Sequence, residues 1–215
     1  MPRKKREWYP GAIYHVMSRG NRRLVLYKDA DDYLTFLESM LKTREKYCFK
    51  IHSLCLMTNH FHMVVETTDV ELWKIMQRML HPYSVNFNRK YKYTGHLFEN
   101  RYTSCLIEDE RYFLEVSRYI HLNPVKAQMV RGPLAYEYSS YGLFVKSPET
   151  NDGTARGRSM VEASMESLVV TDRILGAFHN NREQYRMFVE GRISHAEQEM
   201  LIQKDMKEDE MWLPW

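Results

Sequence analysis

The stretch Met57-Thr58-Asn59-His60-Phe61-His62-Met63-Val64-Val65 combines the pattern of a β-strand with two closely spaced histidines. Side chains alternate across a strand, so His60 and His62 should emerge on one face while Phe61 enters the other and anchors the strand in a core. Two imidazoles roughly 7 Å apart along one strand can converge on a single cation. The alternative is a half-exposed strand carrying two unrelated histidines.

Outward from this stretch, apolar periodicity predicts strands over 12–17, 49–57, 61–67 and 97–107, and helices over 29–47, 72–89 and 109–121. The acidic start at Asp29 favours a helix amino terminus, whereas Pro82 is expected to kink or break the second helix. The resulting order is β-α-β-β-α-β-α. This split βαβ pattern predicts an α+β fold in which an antiparallel sheet has helices packed on one face.

The pattern changes after Gly132-Pro133, so we predict a core over 1–132 and a carboxy-terminal extension over 133–215. The extension begins with an aromatic, loop-like segment at 136–141. It continues through a polar, exposed linker at 150–159 to a helix within 171–189.

Composition narrows the class of protein. Of 215 residues, 44% are hydrophobic and 27% are charged, which is typical of a soluble globular chain. No apolar run of about 18 residues is present, so no membrane span is predicted, and the charged amino terminus lacks the apolar segment of a secretory signal. Cys48, Cys55 and Cys105 lack metal-site spacing and are expected to be reduced, buried thiols of a cytoplasmic protein.

Charge is unevenly distributed along the chain. The net charge is only +3, but the first 28 residues contain many basic residues against the single acid Glu7: Arg3, Lys4, Lys5, Arg6, Arg19, Arg22, Arg23 and Lys28. A basic front end suits a polyanion, because phosphate contacts release counterions from nucleic acid. An ordinary solvated surface is the alternative.

A second feature lies at the end of the last core helix, in Arg118-Tyr119-Ile120-His121-Leu122-Asn123-Pro124-Val125. Tyr119 and Asn123 are four residues apart and therefore share a helical face. The Asn123 carbonyl is a hard oxygen ligand suited to magnesium or manganese beside the two histidines, and Tyr119 would place a nucleophilic phenol next to that metal. Alternatively, Tyr119 is a core aromatic and Asn123 merely ends a helix.

Four segments, in order, resemble the REP-associated tyrosine transposases, within the HUH single-tyrosine transposases of the insertion-sequence 200 type. They are His15-Val16-Met17-Ser18-Arg19-Gly20-Asn21-Arg22, Leu56-Met57-Thr58-Asn59-His60-Phe61-His62, Gly95-His96-Leu97-Phe98-Glu99-Asn100-Arg101-Tyr102 and Tyr119-Ile120-His121-Leu122-Asn123-Pro124-Val125-Lys126-Ala127. The resemblance covers roughly residues 8 to 145. Tyr138-Ser139-Ser140-Tyr141 is similar to the short segment that follows the core in that family.

This resemblance implies a ferredoxin-like sheet whose central strand carries the histidine pair. It implies that Tyr119 is the nucleophile and that His60, His62 and Asn123 bind Mg²⁺ or Mn²⁺. The substrate implied is single-stranded DNA with hairpins formed by REP-like palindromes, cleaved through a 5′-phosphotyrosine intermediate. The family and the extension favour a monomer over a dimer with exchanged tyrosine helices, acting at the nucleoid in the cytoplasm. Arg19, Arg22, Arg23, Arg101 and the Arg3–Arg6 cluster are the candidate DNA contacts.

Two other functions remain open from the sequence. A binding module for structured single-stranded DNA or RNA would use the same basic and aromatic residues but leave the histidine pair and Tyr119 idle. A zinc hydrolase would need a carboxylate near the histidines, and Glu66, four residues beyond His62, is the nearest candidate on the same strand face.

Overall fold

The computed structural model describes residues 7–146 and 159–191. Four strands and seven α-helices lie within these ranges. The strands are β1 (Ile13–Arg19), β2 (Phe49–Leu56), β3 (His60–Thr67) and β4 (Thr103–Ile107). The helices are α1 (Ala30–Lys46), α2 (Leu72–Tyr91), α3 (Glu110–Lys126), α4 (Tyr141–Val145), α5 (Met160–Leu168), α6 (Asp172–Ala177) and α7 (Arg182–Glu190). The predicted order β-α-β-β-α-β-α and the α+β class are confirmed.

The strands form one antiparallel sheet in the order β2-β3-β1-β4. The histidine-bearing strand β3 is therefore central, hydrogen-bonded to β2 on one side and β1 on the other. Its alternation is as predicted: Phe61 is fully buried and its ring lies 5.2 Å from that of Phe36 on α1. The apolar face of β3 thus packs on the layer formed by α1 and α2.

Helix α3 lies on the opposite face of the sheet. Tyr119 on α3 contacts His62 on β3, and Phe113 contacts His52 on β2. The expectation of helices on one face describes α1 and α2, whereas the third core helix covers the histidine face. This placement brings the carboxy-terminal half of α3 over the start of β3.

Local signals explain where the long helices begin. Asp29 caps α1 by accepting a hydrogen bond from the Asp32 amide, and Asp109 caps α3 through the Tyr112 amide. Helix α2 continues through Pro82, so the proline does not break it; the ring is exposed, and on the solvent side water can bond the carbonyl that loses its backbone partner. Helix α3 likewise includes Pro124 and ends at Lys126.

Buried side chains from beyond Gly132 join the same core as the sheet, among them Tyr141, Leu168 and Tyr185. The predicted helix within 171–189 is two helices, α6 and α7. They are separated by a turn in which His179 and Asn180 have left-handed backbone angles. The division of the chain at residue 132 stays a prediction, and most of the expected linker lies outside the described residues.

All three cysteines are free, as predicted. Only Cys55 is buried, however. Cys48 is exposed and Cys105 is half-buried, because Cys48 lies in the turn between α1 and β2 and not in either element. In the part of the chain that is described, no helix is both long and apolar enough to cross a membrane.

Candidate active site

The site begins with the first three residues of β3. His60 lies opposite Arg19 of β1, and His62 lies between Met17 of β1 and Cys55 of β2. Their ring centroids are 5.1 Å apart and nearly perpendicular. His60 is half-buried and His62 is 2% exposed, so the pair occupies a recess with one open end at His60.

A third histidine completes this cluster. His15 of β1 is 2% exposed, and its Nε2 lies 3.1 Å from Nδ1 of His62, with the two rings stacked at 5.3 Å. The contact joins neighbouring strands diagonally, since the Cα partner of His15 on β3 is Val64. Either nitrogen can be the donor, depending on the tautomers of the two rings.

Tyr119 lies over the cluster. Its ring centroid is 5.5 Å from that of His62 and 6.1 Å from that of His15, both in edge-to-face geometry. The ring is half-buried, which leaves one side accessible to a large substrate. The structure therefore brings together His15, His62 and Tyr119, which lie in three separate segments of the sequence.

Asn123 lies one turn after Tyr119 on the same helix and is 8% exposed. Its amide Nδ2 donates to the backbone carbonyl of Tyr119 at 2.9 Å. This hydrogen bond restrains the side chain and leaves Oδ1 as its acceptor atom. The role of Asn123 as a metal ligand stays a prediction.

The imidazoles are held in their neutral form. Burial lowers the pKa of His15 to about 4, and burial together with the positive charge of Arg19 lowers that of His60 to about 4 as well. Burial, together with the neighbouring His15 and His60, holds the pKa of His62 well below its usual range. Neutral imidazole has a free nitrogen lone pair, which is the form that binds metal ions.

Hydrogen bonds determine which ring nitrogens of His60 and His62 keep a lone pair that could bind a metal ion. Nδ1 of His60 lies 2.7 Å from Oδ1 of Asn59, an acceptor, so this nitrogen carries the proton and Nε2 keeps the lone pair. In His62 the Nδ1 atom faces His15, so Nε2 is the ring nitrogen that takes no part in this contact. Ring nitrogens held in this way by a second residue are common in metal sites.

Lys126 is a neighbour of Tyr119 that sequence reasoning did not identify. Its ammonium lies 4.6 Å from the centre of the Tyr119 ring. Lys126 lies seven residues after Tyr119, two helical turns later, so helical spacing is the signal that could have found it. The positive charge beside the ring favours any negative charge that develops on the phenol oxygen.

Within the described ranges, the predicted basic residues lie in three places. Arg19 is paired with Glu99 at 2.9 Å at the end of β1 that adjoins His60. Arg22 and Arg23 are exposed in the following turn, and Arg101 is exposed before β4. Arg3, Lys4, Lys5 and Arg6 lie outside the described residues. The described arginines that precede α1 therefore adjoin the open end of the histidine recess.

Glu66, the carboxylate that a zinc hydrolase would need, serves another purpose. It lies near the far end of β3 and accepts hydrogen bonds from Lys50 at 2.7 Å and from His52 at 2.8 Å. The pairing of Glu66 with Lys50 and His52 counts against the zinc hydrolase interpretation.

The segment Tyr138–Tyr141 holds α3 in place through His121, on the side of the helix opposite Tyr119. Ser140 Oγ accepts from the Leu54 amide of β2 and contacts His121 of α3, while the Tyr185 hydroxyl of α7 bonds both His121 and Ser117. A buried, connected polar network of this kind fixes the position of a helix. It thereby also fixes Tyr119, two residues before His121.

Comparisons with known proteins identify the family. A model described as "Transposase IS200 like" matches residues 9–123, a range that contains all the histidines of the recess, Tyr119 and Asn123. A Haemophilus influenzae protein named "Putative REP-associated tyrosine transposase" is 25% identical over 164 residues, which are 68% of this chain and 89% of that protein.

A solved structure of a REP-associated tyrosine transposase bound to a REP hairpin has a similar fold. Its TM-score is 0.60 at 17% identity, and the match covers 75% of this chain and 90% of that one. This share of the chain is larger than the part that the family model matches. Sequence and fold agree: the chain belongs to the IS200-like transposase family.

Proposed function

We propose that the protein cuts and rejoins single-stranded DNA next to hairpins, using Tyr119 as its nucleophile. The observation that carries the proposal is the position of the Tyr119 ring, 5.5 Å from that of His62 and half-buried above the recess. Membership of a transposase family supports DNA as the substrate. The REP hairpin bound by the transposase of similar fold supports a palindromic, REP-like partner.

The proposed reaction is a transesterification. The Tyr119 oxygen attacks the scissile phosphorus, the bond from phosphorus to the 3′ oxygen breaks, and a 5′-phosphotyrosine link forms. The phenol gives up its proton and the departing 3′ oxygen takes one up. A free 3′ hydroxyl can later attack the same phosphorus, restoring Tyr119 and joining a strand. One ester replaces another, so no nucleotide cofactor is consumed.

Lys126 contributes charge to this step. Its ammonium lies 4.6 Å from the centre of the Tyr119 ring, on a half-buried stem. As the phenol loses its proton, the fixed positive charge stabilises the oxygen that becomes negative. The same charge attracts the phosphate that Tyr119 must reach.

His60, His62 and Asn123 would hold the divalent metal, Mg²⁺ or Mn²⁺. Their donor set fits, because both imidazoles are neutral, their Nδ1 atoms contact Asn59 and His15, and Asn123 offers a hard oxygen. When bound, the metal would polarise the phosphate and neutralise its charge. His15 acts as a positioning residue: by accepting the Nδ1 proton of His62 it fixes the tautomer in which Nε2 is unprotonated.

The acting unit proposed is the monomer, in the cytoplasm at the nucleoid. Tyr119 reaches the histidines of its own chain, and the network through Tyr185 and Ser140 holds α3 there. Arg19, Arg22, Arg23 and Arg101, with the Arg3–Arg6 cluster, are proposed to contact DNA phosphates.

Covalent trapping tests the proposal. Hairpin DNA with single-stranded flanks, taken from the region around the gene, is incubated with protein and Mn²⁺ and resolved on a denaturing gel. The wild type should give a protein–DNA adduct, and Tyr119→Phe should lower it by at least about 10³-fold while still binding the hairpin. Tyr47→Phe, which removes a hydroxyl from another half-buried tyrosine, should leave the adduct unchanged.

Two results would overturn this function. An adduct that survives Tyr119→Phe removes Tyr119 from the role of nucleophile. Tight hairpin binding by the wild type without any adduct or cut strand, in Mg²⁺ and in Mn²⁺, would instead identify a module that binds structured DNA without cutting it.

A further inference from the structure

Arg19 lies at the open end of the histidine recess, and Tyr119 lies over the other end. The Tyr119 ring contacts His62 and His15. His60 comes next toward the start of β3, with its ring 5.1 Å from that of His62, and Arg19 is the β1 partner of His60. Paired residues of neighbouring strands place their side chains on the same face of a sheet. The recess therefore has a phenol at one end and a guanidinium at the other.

The Arg19 guanidinium is held by one carboxylate. Its Nε donates to Oε2 of Glu99 at 3.0 Å, and its Nη2 lies 2.9 Å from the same oxygen. The main chains are joined as well, because the Glu99 amide donates to the Arg19 carbonyl at 2.9 Å. A guanidinium carries five N–H groups in a planar, fixed fork. Since Glu99 contacts the edge formed by Nε and Nη2, Nη1 is turned away from this carboxylate.

The pair of Arg19 and Glu99 is open to solvent, with side chains 44% and 38% exposed, so a DNA strand can reach it. An exposed ion pair adds little to the stability of a fold. What this pair does provide is a fixed direction for the guanidinium. A donor that is already oriented before the reaction begins is what phosphoryl transfer uses to stabilise developing charge.

The position of Arg19 matches the geometry of the reaction. In phosphoryl transfer the attacking and leaving oxygens lie roughly in line, on opposite sides of phosphorus. When Tyr119 attacks from its end of the recess, the departing 3′ oxygen points toward the end at which Arg19 lies. Negative charge develops on that oxygen as its bond to phosphorus breaks. An arginine keeps its proton in proteins, so Arg19 acts on this charge through hydrogen bonding and its own positive charge.

We propose that Arg19 donates a hydrogen bond to the departing 3′ oxygen, and that Glu99 is the positioning residue that orients it. The inference rests on the proposed function for its reaction. The bond from the Tyr119 oxygen to phosphorus forms, the bond from phosphorus to the 3′ oxygen breaks, and water supplies the proton that the 3′ oxygen takes up. In the rejoining step the same contact holds the 3′ hydroxyl that attacks the phosphotyrosine.

Replacing the bridging 3′ oxygen by sulfur, at the bond that the wild type cleaves, tests this role. A thiol ionises more readily than an alcohol, so a departing thiolate needs little help from a hydrogen-bond donor. On natural DNA at saturating concentration, Arg19→Ala should form the adduct about 10²-fold more slowly than the wild type. On the 3′-thio DNA most of this deficit should disappear. Arg19→Lys keeps the charge but lacks the fork, so its rate should lie between the two.

The positioning role of Glu99 has its own test. Glu99→Ala should slow adduct formation on natural DNA by less than Arg19→Ala does, without weakening hairpin binding, since only a negative charge is lost. Added to Arg19→Ala, the same change should have no further effect, because Glu99 acts through Arg19. A faster reaction in Glu99→Ala, or a loss that adds in full to that of Arg19→Ala, would show that Glu99 does not position Arg19.

Arg186→Ala is the matched control, because Arg186 is 38% exposed and paired with Glu183 on α7. It should react like the wild type on both DNAs, and a deficit equal to that of Arg19→Ala would reveal a general effect of charge. The leaving-group role is wrong if Arg19→Ala reacts normally on natural DNA, or if its deficit is the same on the 3′-thio DNA. Both results leave the wild-type adduct through Tyr119 intact. A wild type that forms no adduct with either DNA would overturn the proposed function and this inference together.

Discussion

Helix α3 carries two buried polar clusters that look alike in the sequence and differ in the structure. On the sheet side, Tyr119 contacts His62 and His15. On the opposite side of the helix, two residues after Tyr119, His121 contacts Tyr185 and Ser140, and we call this group the rear cluster. Both clusters contain fully buried imidazoles. Burial lowers the pKa of His121 to about 3 and that of His15 to about 4.

The difference lies in hydrogen bonding. Both ring nitrogens of His121 are bonded, Nδ1 to the Tyr185 hydroxyl at 2.8 Å and Nε2 to Ser140 Oγ at 2.9 Å. On the sheet side, His15 Nδ1 has no hydrogen-bond partner among the described residues, and the contacts of His60 with Asn59 and of His62 with His15 are made by Nδ1 of each ring. A lowered pKa alone therefore does not mark a functional histidine. Incomplete pairing inside the protein is the better criterion.

Removing one histidine from each cluster is the sharpest test of this contrast. His62→Ala should abolish adduct formation, by at least about 10²-fold, because a ligand of the proposed metal is lost. His121→Ala should instead lower the free energy of unfolding by about 2–5 kcal/mol, since it leaves a cavity and removes one hydrogen bond from each of two buried hydroxyl groups, those of Tyr185 and Ser140.

Adduct assays at a temperature where both variants are folded, with unfolding monitored by urea titration, separate the two effects. His121→Ala should then form the adduct within a few-fold of the wild type. If His121→Ala loses the chemistry as completely as His62→Ala does while remaining folded, the division into a reactive and a structural cluster is wrong.

A smaller effect should follow from changing His15. In His15→Phe the ring is kept but the acceptor for the His62 Nδ1 proton is lost, so Mn²⁺ affinity should fall about 10- to 100-fold. Titration calorimetry of the free protein measures this without DNA. His15→Gln offers an oxygen acceptor and should recover part of the affinity. A purely structural role would lower stability in His15→Phe and leave Mn²⁺ affinity unchanged.

Acid should destabilise the fold through the rear cluster. The pKa of His121 is about 3 in the folded protein and 6.5 when unperturbed, so between these values the unfolded chain binds the additional proton. Stability is therefore intact above pH 6.5 and falls as the pH decreases toward 3. One such histidine contributes at most about 1.4 kcal/mol per pH unit.

Urea unfolding of the metal-free protein between pH 4 and 7 measures this slope, and His121→Phe, which cannot be protonated, should reduce it. The buried histidines of the recess should supply what remains, since their pKa values are lowered in the same direction. A slope that His121→Phe leaves unchanged would show that His121 is already protonated, or exposed, in the folded protein.

Much of the fold followed from local patterns. The alternation around Phe61 predicted which face of β3 is buried, and Asp29 predicted the start of α1. Helix ends were harder to predict. The last core helix was predicted to end at His121, but it continues through Pro124 to Lys126, because tertiary packing outweighs local propensity in its final turn, where Asn123 and Pro124 are buried. Likewise, only 103–107 of the predicted strand 97–107 pairs as β4, and before it Phe98 forms a single bridge with Gly20.

Local sequence patterns were sufficient to predict the α+β class, the common face of His60 and His62, and the shared helical face of Tyr119 and Asn123, because these depend on periods of 2 and 3.6 residues within one element. Three other features required the folded chain: the contact of His15 with His62, the position of α3 on the histidine face, and the hydrogen bonds at both nitrogens of His121. Those facts depend on strand register and helix packing between distant segments, and no local period of the chain encodes them.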